Sequence, residues 1–195
     1  GFFAFVGFVP LITIWSSSSI RESAKYSYIA ALVANIISLY WIGLNSGAEL
    51  IPVIASLVAA VLYLSLFWAL LGAVCSYFIK RYINGLYLIP ALWVSMELLR
   101  SYGPLAFSWS SLALTQSNFL PILQIMDITG SEGVSFWVLI VNVFLFSLVH
   151  QKKINYKKHL TFLFIIFIPM IYGSVKLFSF DESEWKKRSV SILQP

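Results

Sequence analysis

Glu97 and Arg100 are the residues in this sequence whose types and spacing most suggest chemistry, since they stand three apart near the end of an apolar run over 83–101. On a helix that spacing puts both on one face, where they could pair. Charge within a membrane-spanning segment costs about 2.5–3.5 kcal/mol on insertion scales, so such residues are functional suspects by default. Their plain alternative is a structural ion pair, or two long side chains reaching to the interface. Phe107 and Trp109 follow in a polar-flanked stretch and could line an entrance for lipid, although tryptophan also favours membrane interfaces for its own sake. Gln116, Gln124 and Asn142 read as hydrogen-bonding groups rather than catalysts.

Other chemistries fail on residue type or setting. Cys75 sits among Ala73, Val74 and Tyr77, which offer none of the positive charge that activates a thiol, so it reads as a packing residue. His150 and His159 flank a lysine-rich loop with no carboxylate or cysteine cluster beside them, so no metal site is expected. No Gly-rich phosphate loop, paired catalytic carboxylates or Ser/His/Asp set can be assembled. No cofactor is implied.

The elements that must position these residues are set by composition. The chain has 195 residues, of which 59% are hydrophobic and 11% charged, and its mean hydropathy is +0.86. So few charges cannot cover a soluble domain. Apolar runs near the roughly 20 residues needed to cross a bilayer recur at 1–15, 26–44, 51–79, 83–101, 133–150 and 160–178. The expectation is an all-α polytopic membrane bundle of about six transmembrane helices occupying residues 1–180. The run over 51–79 must tilt or project, and Pro52 fits its first turn. The chain starts at Gly1 with a short first run, which suggests a missing N-terminal piece.

Alternate loops differ sharply in charge. One set carries Arg21, Lys25, Lys80, Arg81, Lys152, Lys153, Lys157 and Lys158 against Glu22 alone; the other carries five basic residues against seven acidic ones. Positive residues concentrate on the cytoplasmic side, so the first set is cytoplasmic and the stretch 102–132 faces outward with the C-terminal tail. This distribution accounts for the net charge of +5 without a nucleic-acid partner. The outer stretch is long and apolar, which predicts an ordered loop lying on or dipping into the membrane surface. After the charged residues 181–188, the alternation from Ser189 to Gln194 suits a β-strand.

Several motifs resemble one family. Pro90-Ala91-Leu92-Trp93, Glu97-Leu98-Leu99-Arg100, Phe107-Ser108-Trp109, Gln116 and Gly130 follow the order and spacing of the membrane domain of bacterial apolipoprotein N-acyltransferases. There a Trp-x-x-x-Glu-x-x-Arg helix precedes a Gly-Phe-Pro-Trp turn and a Gly-Tyr-Ser-Gln stretch. Residues 60–67 and 40–42 give weaker support. Ala106 and Ser108 depart from the family's Gly and Pro, and Ala113-Leu114-Thr115 from its Gly-Tyr-Ser, which points to a divergent member.

The resemblance implies a multi-pass protein of the bacterial cytoplasmic membrane that delivers an extracytoplasmic α/β nitrilase-like domain, whose linker and first strand would be residues 181–195. It implies transfer of an acyl chain from a phospholipid donor, through a cysteine thioester, to the diacylglyceryl-cysteine of an apolipoprotein, assisted by a Glu and a Lys. All three catalytic residues would lie beyond Pro195, so this chain alone is expected to be inactive. Its own share would be anchorage and lipid access, with Glu97, Arg100, Phe107, Trp109 and Gln116 as candidates. A small transporter in which Glu97, Arg100 and Asn142 line a polar path is the competing reading, as is a noncatalytic scaffold. No internal repeat favours the transporter.

Overall fold

The computed structural model describes residues 1–47, 49–150 and 156–179, and all regular structure among them is helical. Seven α-helices follow in order: α1 (Val9–Ser17), α2 (Ile20–Leu39), α3 (Leu50–Arg81), α4 (Ile89–Arg100), α5 (Leu120–Leu123), α6 (Met126–Val149) and α7 (Tyr156–Phe178). Four helical segments are long and apolar enough to cross a membrane: Ile20–Leu44, Leu50–Arg81, Met126–Val149 and His159–Phe178. The strand expected over 189–194 and the linker before it lie outside the described residues.

The apolar runs expected at 1–15 and 83–101 take a different form. Each is divided into a 3-10 turn and a short helix, Phe2–Phe5 before α1 and Gly85–Leu88 before α4. Pro10 and Pro90 open the two helices, where a missing N–H costs nothing. At the break before α1 free backbone groups must find partners, because lipid offers none. Asn142 of α6 supplies them: its side chain accepts from the Phe8 N–H at 3.0 Å and donates to the Ala4 carbonyl at 2.8 Å.

The outer loop is also shorter than its polar residues suggest. α6 begins at Met126 rather than near 133, and absorbs Asp127 and Glu132 into helix. Asp127 lies in the first turn, where a negative charge is favoured, and it accepts from Tyr172 at 2.9 Å and pairs with Lys176 of α7. Gly130 then breaks the run with φ +67°, a left-handed value that suits glycine.

The packing of α2 on α3 shows what holds membrane helices together once lipid has removed the hydrophobic drive. Small residues allow close approach and polar ones bond across the seam. Ser23, Ser27 and Ala31 of α2 face Gly72 and Ser76 of α3, all buried. A Cβ on Gly72 would fall 2.2 Å from Ser27 Oγ and 2.8 Å from the Ser23 carbonyl, so only glycine fits. Ser27 Oγ accepts from the buried Trp15 indole at 2.8 Å, and Asn35 donates to Ser65 at 3.2 Å. α2 itself starts at a capping box in which Ser19 and Glu22 bond each other's backbone N–H.

The ends of the helices sort by charge set. Lys80, at the end of α3, bonds Ser76 and the Ser18 carbonyl between α1 and α2. At the opposite end Trp41 meets Trp109, Gly1 meets Gln116, and Asp127 meets Lys176.

α7 leans on the bundle by a local repair. Pro169 inside it cannot donate to the carbonyl four residues back, and the Trp137 indole of α6 donates to that Ile165 oxygen at 2.6 Å. Replacing Gly72 by valine is expected to overpack the α2–α3 seam and cost about 1–3 kcal/mol. Thermal denaturation of detergent-solubilised protein reads this as a lowered Tm, whereas an unshifted Tm would mean the seam is looser than described.

Candidate functional site

Glu97 is the centre of the site. It lies one turn beyond Trp93 on α4, and the side chain is nearly fully buried. Its Oε1 accepts from the Trp93 indole at 2.9 Å and from the Leu112 N–H at 2.7 Å, while Oε2 accepts from the Ser111 hydroxyl at 3.3 Å. Three donors thus converge on one carboxylate, and two of them come from the outer loop. The carboxylate fixes where the 3-10 turn Leu112–Gln116 sits against α4.

Arg100 does not form an ion pair with Glu97. The sole salt bridge among the described residues is Lys176 with Asp127. Arg100 instead extends under the same loop, buried, and donates to the Ser110 carbonyl at 3.1 Å, while its own carbonyl accepts from the Phe107 N–H at 3.0 Å. Both charges therefore hold the loop, each through separate bonds. The expected pairing fails because both residues find closer partners in the returning loop.

Gln116 is buried and donates to the Gly1 carbonyl at 3.2 Å and to Thr115 at 2.9 Å, closing the loop onto the start of the chain. Phe107 is half-buried and packs its ring 6.0 Å from that of Trp109. Trp109 is 64% exposed and stacks on Trp41, with ring centroids 5.1 Å apart and 29° between planes.

Beneath Trp109 lies a cleft of about 360 Å³, a volume in the range of small-molecule sites. Phe8, Trp68 and Trp93 form an aromatic wall, with Phe8 and Trp93 edge to face at 4.7 Å and Trp68 and Trp93 at 4.9 Å. Asn35, Ser38 and Thr115 supply polar atoms on the other side. Trp93 joins the two halves of the site, since its ring lines the cleft while its N–H holds Glu97.

Of three further contributors, Ser135 and Asn35 carried no signal in sequence beyond being polar in an apolar run, and Trp41 entered only through the weaker support that residues 40–42 give the resemblance. Ser135 of α6 accepts from the Ala113 N–H at 3.1 Å and lies 3.4 Å from Ser111 Oγ, completing the loop's attachment. Asn35 lines the cleft, and Trp41 stacks on the Trp109 that covers it. Elsewhere, Cys75 is fully buried in the core and His150 Nδ1 lies 3.0 Å from the Phe146 carbonyl. Asn142 spends its amide on backbone groups and Glu97 on the loop, so neither is free to line a polar conduit.

The arrangement can admit an amphipathic molecule beneath an aromatic roof. Among the described residues, no activated nucleophile with a base stands beside it, and no three of His, Cys, Asp and Glu come together.

Comparison with known proteins points the same way. Residues 1–144 match the model of the apolipoprotein N-acyltransferase N-terminal domain. The apolipoprotein N-acyltransferase of Geobacter metallireducens is 31% identical, over 89% of this chain and 35% of its own length. That of Chlorobaculum tepidum is 26% identical over 98% of this chain and 36% of its own. Apolipoprotein N-acyltransferase 1 of Treponema denticola is 25% identical over the whole chain and 36% of its own length. The chain thus spans about a third of the length of the curated relatives it matches. No solved structure matches it.

Glu97→Gln keeps one acceptor but loses the charge and the second oxygen, a change of about 1.5–3 kcal/mol for bonds to an ionised group. Backbone hydrogen exchange over residues 107–116 should accelerate, most at Leu112. Exchange unchanged in this variant would show that the loop is held by something other than the carboxylate.

Proposed function

Because this chain belongs to the apolipoprotein N-acyltransferase family, we propose that it is the membrane-embedded part of an enzyme that moves an acyl chain from a phospholipid to the N-terminal diacylglyceryl-cysteine of lipoproteins. The reacting cysteine, with its Glu and Lys, belongs to a nitrilase-like domain beyond Pro195. A thiolate there attacks the phospholipid ester, and the resulting thioester is aminolysed by the lipoprotein amine. This chain anchors that domain and brings lipid to it, and alone it transfers nothing. The carrying observation is the buried Glu97, whose bonds to Leu112 and Ser111 fold the loop so that Trp109 roofs an aromatic-walled cleft.

The protein crosses the bacterial cytoplasmic membrane six times, with its C-terminal end outside. The four long helices supply four crossings. The split segments supply two more, a reading supported by where their ends lie. The first runs from Gly1, bonded by Gln116, to Ser18, bonded by Lys80. The second runs from Gly85, packed against the Phe78 carbonyl near the end of α3, to Glu97 at the outer loop. A four-residue 3-10 turn and a 12-residue helix together reach about 26 Å, close to the hydrocarbon thickness. The eight positive residues of the first charge set then lie inside.

Purified full-length protein in mixed micelles with a phospholipid and a synthetic diacylated lipopeptide should give the triacylated product, detected by mass. Trp109→Ala should raise the KM for the phospholipid about tenfold, the effect of losing one aromatic contact, with kcat little changed. Absence of product from the native protein, or donor kinetics unchanged by the substitution, contradicts the proposal.

A further inference from the structure

Asn35 stands out among the polar groups of the cleft. It is 96% buried, since only 4% of its surface is exposed, yet it lines the cleft. A carboxamide has two N–H donors and an acceptor oxygen. Here one N–H goes to Ser65 Oγ at 3.2 Å, and no other partner of the side chain occurs among the described residues. One donor and the carbonyl oxygen therefore remain without a protein partner beside the cleft, where an unmet polar group is costly once the cleft is filled by lipid.

The depth of Asn35 identifies what would meet the spare N–H. Trp41 and Trp109 stack at the outer end of the bundle, the level at which tryptophan sits among lipid headgroups. Asn35 precedes Trp41 by six positions, or about 9 Å along a helix. That places it below the headgroups, level with the first carbons of the acyl chains and just beneath the ester linkages of a bilayer lipid. The neighbouring surface of α2 is apolar and open, with Val33 and Ile37 exposed, as is Leu114 on the loop side of the cleft. An occupant entering from this side keeps its chains in hydrocarbon. Its ester carbonyl is an acceptor, matched to the spare N–H, and the aromatic wall of Phe8, Trp68 and Trp93 covers its glycerol and upper chain.

We propose that Asn35 is the specificity-determining contact for the ester linkage of a membrane phospholipid held in the cleft under the Trp41–Trp109 stack. This rests on the acyl-donor reading above and gives it a residue that distinguishes an ester-linked from an ether-linked lipid.

The test is competition between diester and diether phosphatidylethanolamine of equal chain length for the detergent-solubilised full-length protein, read by native mass spectrometry. No lipoprotein acceptor is present, so at most one acyl group per enzyme is consumed. The native protein should favour the diester by about two- to tenfold, the worth of one neutral hydrogen bond. Asn35→Leu should abolish the preference, while Ser65→Ala, which removes the seam bond and leaves the amide, should retain it. Equal binding of the two lipids by the native protein overturns the proposal even if Asn35→Leu fails to fold. So does a preference that survives Asn35→Leu, or one lost in a folded Ser65→Ala. Ester preference in a protein that makes no triacylated product would refute the acyl-donor reading alone; product formation without ester preference would refute only the role of Asn35.

Discussion

A carboxylate buried near the membrane surface must be surrounded by donors, and the outer half of this protein is arranged around that requirement. Placing an acidic group in a span costs about 2.5–3.5 kcal/mol, whereas each bond to an ionised group returns about 1.5–3 kcal/mol. Trp93, Ser111 and Leu112 together more than offset the penalty on Glu97. Two of those donors exist only if the chain leaves α4, turns, and comes back. The loop's path is therefore a consequence of the charge. Arg100 and Phe107 then fix the outgoing limb, Ser135 the returning one, and Trp109 lies over the cleft between them.

The same rule governs the interior, where the helices are interrupted more often than a simple bundle would require. Two of the interruptions described above are met by a side chain of another helix. Asn142 covers the break before α1, and Trp137 covers the carbonyl freed by Pro169. Gln116 takes the Gly1 carbonyl. In hydrocarbon no water would do this, so a short broken segment is stable only beside a polar residue of another helix. These polar residues spend their bonds on backbone groups and do not line the cleft.

Much of this was legible in the sequence because membranes impose strong one-dimensional rules. Span length and the lysine and arginine distribution located the long helices and divided the loops into two sets, which the contacts of Lys80 at one end and Trp109 at the other keep apart. Glu97, Arg100, Trp109 and Gln116 stood out by type and order. Apart from Trp93 and Trp41, their partners did not, because hydropathy averages over a window and cannot say which serine in an apolar run meets which loop. Ser135 and Asn35 sit in apolar runs without a motif, and Trp41 entered only through the weaker resemblance of residues 40–42. The early start of α6 was hidden for another reason: Asp127 and Glu132 look like loop residues until Lys176 of α7 is seen beside the first of them. The Glu97–Arg100 pairing was the natural inference from an i, i+3 spacing, and it failed because the returning loop competes for both side chains.

The central claim is that the Glu97 carboxylate sets the position of the loop that covers the cleft. Spin labels at Leu44→Cys and Leu105→Cys, both exposed positions, would report the distance between the end of the second helix segment and the loop, with the fully buried Cys75 left unlabelled. Pulsed electron resonance on the otherwise native protein should give one narrow distance distribution, and the same pair with Glu97→Gln a broad one displaced to longer distances. A distribution that is equally narrow and unshifted with Glu97→Gln would contradict the account.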